Sequence, residues 1–241
     1  MATNFDRRWA VPGYAGTATQ VGIDEALRAH MLKVYNIMAS GLLLSGIVAV
    51  IVAMNPSLVA AIWLSPLRWV VLLAPLGLIM WMSFGVNSMS ARTLSALYWV
   101  FTALMGLSLS SLFVVYTGAS VVKVFFITAA TFGAASLYGY LTKKDLTSMG
   151  TFLFMGLIGL IIAGLVNIFM QSPMMHFVIS AVGVLVFTGL TAYDTQAIKA
   201  EFNEGHAEEV LQKGATMSAV RLYLNFVNLF QFMLSILGNR E

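Results

Sequence analysis

The chain has 241 residues, 59% of them hydrophobic and only 10% charged, with a formal net charge of +3 and no cysteine. Soluble domains carry about a quarter charged residues, so a water-facing surface cannot be assembled from this sequence and the class is polytopic membrane protein. The cysteine count excludes disulfides and thiolate metal centres, and the scattered basic residues form no nucleic-acid-binding face.

Residues 1–29 are polar and rich in Gly, Ala and Thr. They lack the basic start, short apolar core and cleavage site of a signal peptide, and are expected to form a flexible cytoplasmic lead-in. Residues 30–241 then form the transmembrane domain. A spanning helix needs roughly 20 apolar residues, and the long continuous runs here meet that length, whereas a bilayer barrel would show short alternating segments. The expected spans are 31–54, 67–88, 94–117, 119–141, 148–171, 174–196 and 217–237. The fold class is therefore all-α, with seven transmembrane helices.

The connections alternate in charge. NPSLVAAIWLSP, TGAS and QSP, after the first, third and fifth spans, hold no Lys or Arg. The other side holds Arg92, Lys143, Lys144, Lys199 and Lys213, to which the lead-in, the start of the first span and Arg221 add; ten of thirteen basic residues share that face. Basic residues in short loops stay cytoplasmic, so the expected orientation is amino terminus inside and carboxyl terminus outside. Trp63, Trp69, Trp81 and Trp99 lie near span ends, as interfacial anchors do. Small residues such as Gly41, Gly159, Gly183 and Gly189 recur at spacings that let helices approach closely. The loop 201–217 is expected to extend the sixth span by a turn and then form a short surface helix.

Ionisable groups inside a membrane are rare and are functional hypotheses by default. Asp194, in LTAYDTQAIKA, is the one acid attached to the body of a span. It lies about 30 Å of helix beyond Met174 at ~1.5 Å per residue, near the inner hydrocarbon boundary. A carboxylate that merely ends the span and faces water is the bland alternative. The last span carries Asn225, Asn228 and Gln231 at steps of three. Three unpaired amides would be costly in lipid, so this stripe is expected to face the bundle interior, as helix glue or as the lining of a pathway. His176 follows an outer turn with no second ligand nearby, and the serines at 106–113 have no well-placed His base. No catalytic residue and no metal site is expected, and hence no enzyme.

Four segments, GLSLSSLFVVY, SLYGYLTKKDLTSMG, LTAYDTQAIK and RLYLNFVNLFQFMLSILGNR, resemble in order those of the Bax inhibitor-1 family, in its bacterial branch. The resemblance covers about residues 30–240 and implies a seventh helix central to the bundle, an inner-membrane location and a pH-sensitive calcium leak. It also implies a switch of two aspartates, one ending the sixth helix and one in the seventh, which share a proton when closed. The first matches Asp194. The second falls on Asn225, because the family's LYLDF is LYLNF here. An arginine latch at the inner end of the second helix is displaced to Arg92. With one acid of the pair, formal charge for a divalent cation halves and the coupled titration is lost. The expected function is a calcium leak, or its regulator, with weakened pH gating; calcium would be transported or weakly bound, and no resident cofactor is expected. A non-conducting protein that modulates membrane proteases or stress-response partners is the alternative. The expected partners are membrane lipids and a membrane protein.

Overall fold

The computed structural model describes the backbone of residues 14–203 and 205–240, with side chains from residue 25 onward. The first part of the lead-in, with Arg7 and Arg8, lies outside the described residues. The described helices are α1 (Tyr14–Ala53), α2 (Pro56–Trp63), α3 (Leu67–Gly85), α4 (Ala91–Leu109), α5 (Leu112–Val115), α6 (Gly118–Leu141), α7 (Thr147–Met170), α8 (Pro173–Glu201) and α9 (Glu208–Leu237). Seven segments are long and apolar enough to cross a membrane, the third being α4 with α5. α1 begins inside the lead-in and continues into the first span without a break.

Short polar signals punctuate the helices. Asn55 caps α2 by accepting from the Ser57 and Leu58 N–H groups, with Pro56 in the first turn, where its missing N–H leaves no intrahelical bond unmade. Ser90, Thr117 and Ser172 cap α4, α6 and α8 in the same way. Asp145, in the turn before α7, accepts from the Thr147 N–H at 2.8 Å and its hydroxyl at 2.6 Å. These bonds hold the exposed Asp145 carboxyl below the usual carboxylate range, so it is ionised throughout neutral pH.

α9 is the central helix, packed against α1, α4, α6 and α8, while α7 packs on α8. Leu222, Tyr223, Leu229 and Leu234 of α9 are fully buried. The Tyr223 hydroxyl lies 2.6 Å from Ser45 Oγ, which also stands 2.6 Å from the Thr102 carbonyl. A carbonyl only accepts, so the serine proton serves it and Tyr223 donates to the serine. One relay thus ties α9 to α1 and α4. Apolar side chains facing lipid gain little from burial, so packing and such hydrogen bonds hold the helices together.

Near the end of α6, its backbone comes close to that of α8. A Cβ added at Gly139 would strike the Ala192 backbone, whereas one at Gly159 would meet nothing within 4 Å. Gly41, Gly183 and Gly189 are also filled against Tyr98, Phe232 and Leu153. Trp63 turns inward and donates its ring N–H to Ser110 Oγ at 3.1 Å, while Trp69, Trp81 and Trp99 are exposed. Gly139→Val should therefore lower the thermal midpoint of the purified protein by several degrees, as overpacking of about 1–3 kcal/mol requires. Gly159→Val should leave it unchanged in the same scan.

Candidate functional site

Asp194 lies on α8 two residues beyond Ala192, against which Gly139 of α6 packs, and Asn225 lies on α9. The Asn225 amide donates to Asp194 Oδ2 at 2.6 Å. Asn225 is 5% exposed and Asp194 is half-buried, so the carboxyl is engaged with the central helix and is not a solvated span terminus.

The charges around it come from the same two helices. Arg221 precedes Asn225 by one turn on α9, and Glu201 follows Asp194 by two turns on α8. Arg221 Nη2 stands 2.5 Å from Glu201 Oε2, and Nη1 donates to Oε1 at 3.2 Å. The pair is substantially solvent-exposed, 37% and 57% by side chain, so its own contribution is about 0–1 kcal/mol. Its position is more informative than its strength: a two-point ion pair closes α8 onto α9 just beyond the Asp194–Asn225 bond.

A second polar chain reaches the site from the side. Tyr35 of α1 hydrogen-bonds Ser136 of α6, Ser136 Oγ is 3.0 Å from Thr195 Oγ1, and Thr195 donates to the Thr191 carbonyl at 2.8 Å. At the opposite end of α8, His176 Nε2 lies 2.8 Å from Ser235 Oγ, which is 2.9 Å from Ser180 Oγ. Among the described residues no group of three His, Asp or Glu side chains gathers as a metal site.

The remaining expected residues separate. Asn228 is partly exposed and donates to its own helix, at the Leu224 carbonyl, at 2.8 Å. Gln231 is exposed. Three residues at ~100° each fall about 60° short of a turn, so the stripe drifts off the interior after Asn225. Arg92 is exposed at the start of α4 and forms no ion pair among the described residues. Arg221, paired with Glu201 across α8 and α9, is the basic residue beside the site instead. Its signal was in the sequence: four residues before Asn225, opposite an acid seven after Asp194, both at same-face helical spacings.

Replacing Asn225 by Leu leaves the Asp194 carboxylate without its donor. The variant should lose about 1.5–3 kcal/mol of stability, read by denaturant titration in detergent micelles. Gln231→Leu should remain within about 0.5 kcal/mol of the parent.

Residues 27–241 match the family described as inhibitor of apoptosis-promoting Bax1. The chain is 45% identical over 225 residues to an uncharacterized protein of Rickettsia prowazekii, covering 93% of this chain and 95% of that one. It is 44% identical to an uncharacterized protein of Caulobacter vibrioides, covering 99% of each. It is also 41% identical to the inner membrane protein YbhL of Escherichia coli K12, covering 89% of this chain and 93% of YbhL.

Proposed function

The chain belongs to the Bax inhibitor-1 family, and on that footing we propose that it is an inner-membrane cation leak of the calcium-conducting kind, or its regulator, closed at its inner end by the α8–α9 contact. The observation that carries this reading is the Asn225 amide bound to the Asp194 carboxylate at 2.6 Å, with the Arg221–Glu201 pair beyond it. The inner-membrane placement is supported by the relative YbhL. The alternation of basic and uncharged loops supports a cytoplasmic amino terminus and an external carboxyl terminus.

Weak pH control follows from the amide. Two adjacent carboxyl groups titrate as a coupled pair because both cannot easily be charged. An amide neither titrates nor repels, so Asp194 keeps its partner when ionised. Protonation leaves an acceptor carbonyl for the same amide, and the contact survives both states. Opening then depends on breaking a hydrogen bond and an ion pair, not on separating two like charges.

A non-conducting role, modulating a membrane protease or stress-response partner, is favoured by one observation. Beyond Asn225 the α9 interior is filled by apolar side chains, among them Phe226, Leu229 and Phe230. Calcium flux into vesicles containing purified protein, measured at about pH 6 and pH 8 to bracket neutral titration, separates the two. The leak reading expects a small flux in the parent, nearly equal at the two pH values, and an altered flux in Asp194→Ala. Asn225→Asp should raise both the flux and its pH dependence. A silent parent whose Asn225→Asp variant leaks would assign the native role to interaction, and silence in every variant would end the leak reading.

A further inference from the structure

Along the lipid-facing side of the bundle, α1 and α6 barely touch. Among the described residues one hydrogen bond spans them, between Tyr35 and Ser136. The gap is a groove of about 1310 Å³ running from Arg28 to Ile51 on the α1 side, with Phe226 of α9 as part of its floor. From Arg28 to Ile51 the helix rises about 34 Å at ~1.5 Å per residue, close to the hydrocarbon thickness of about 30 Å. Gly46 and Gly133 line it, and a Cβ at either would meet nothing within 4 Å.

Its walls are aliphatic and aromatic over most of this depth. Phe125 and Phe132 of α6 meet Phe226 edge to face at 5.5 Å, a packing that fixes the floor without closing the opening. The polar lining lies towards one end: Arg28, Tyr35, Ser136 and Tyr140. Arg28 is exposed and forms no ion pair among the described residues, although Glu25 stands one helical turn before it. A second cation is near that end, since Lys199 Nζ donates to the Tyr140 carbonyl at 3.0 Å and lies over the Tyr140 ring.

We propose that this groove is a binding site for one anionic phospholipid, with an acyl chain between α1 and α6 and the phosphate at Arg28. An apolar cleft facing hydrocarbon is filled by hydrocarbon, because water there would forfeit its hydrogen bonds. Basic residues at one mouth select the sign of the headgroup, and a guanidinium matches a phosphate with two parallel N–H donors. This site is independent of whether the bundle conducts ions, since it lies on the lipid face and uses neither Asp194 nor Asn225.

The test is native mass spectrometry of the delipidated protein titrated with dioleoyl phosphatidylglycerol or dioleoyl phosphatidylcholine. One phosphatidylglycerol should bind per chain, with about fivefold preference over phosphatidylcholine, the scale of one basic residue at a membrane surface. Arg28→Gln should reduce that preference to near unity. Gly133→Trp, filling the groove from α6, should abolish retention of either lipid, and Gly46→Phe does the same from α1 should the first variant not fold. Equal binding of the two lipids by the parent would overturn the proposal, as would retention by folded groove-filled variants. A dimer dispersed by either filling substitution would overturn it too, by identifying a second copy as the occupant.

Discussion

A carboxylate within a spanning helix needs a partner that does not leave with the solvent, and the end of the bundle that holds Asp194 is arranged around that need. Asp194 finds its donor in Asn225 on the central helix, across the α8–α9 interface. The small Gly139 lets α6 close against Ala192 beside it, and the Ser136–Thr195 contact joins α6 to α8 one residue further. On the other side of α9, Tyr223 fixes α1 and α4 through Ser45. Moving α8 away from α9 at this level would break both the Asp194–Asn225 bond and the Glu201–Arg221 pair.

The chemical character of the site follows from which donor is present. An amide stabilises a carboxylate without adding charge, whereas a second acid would add charge and couple the two titrations. The nearby Arg221–Glu201 pair is internally balanced and partly exposed, so salt screens it more readily than a buried pair. Asp145, in the turn that packs against Gln196 of α8, is held ionised by Thr147, and a local hydrogen-bonded turn accounts for it without any role as a sensor. These features favour a contact that persists across neutral pH.

The span positions were legible because hydrocarbon thickness imposes a length that no other constraint disguises. The seven spanning segments fall near the expected ones, with α9 central. α2 lies within a connection that span length alone leaves as loop, since the eight residues of PSLVAAIW are too short to span; Asn55 and Pro56 are its helix-start signal. The short surface helix expected within 201–217 is not separate: α9 runs unbroken from Glu208 into the last span, because its first turns are amphipathic and continue the helix outside hydrocarbon. Of the polar residues, Asn225 was placed inside by its neighbours' burial, but Gln231 was carried outward by the drift of a three-residue repeat. Pairing Arg221 with Glu201 required knowing that α8 and α9 lie side by side, which spacing within either helix does not reveal.

The lack of cysteine permits spin labels at chosen sites without removing any native thiol. Labels at Ala200 near the end of α8 and Arg92 at the start of α4, both exposed, would report the distance across the Asp194 end of the bundle. Double electron–electron resonance in lipid nanodiscs at about pH 6 and pH 8, chosen to bracket neutral titration, should give one unchanged distribution in the labelled parent. The added Asn225→Asp change should give a distribution that shifts between the two. A parent distribution that moves with pH, or an Asn225→Asp distribution that does not, would contradict the claim that the amide at this position fixes the α8–α9 contact against protonation.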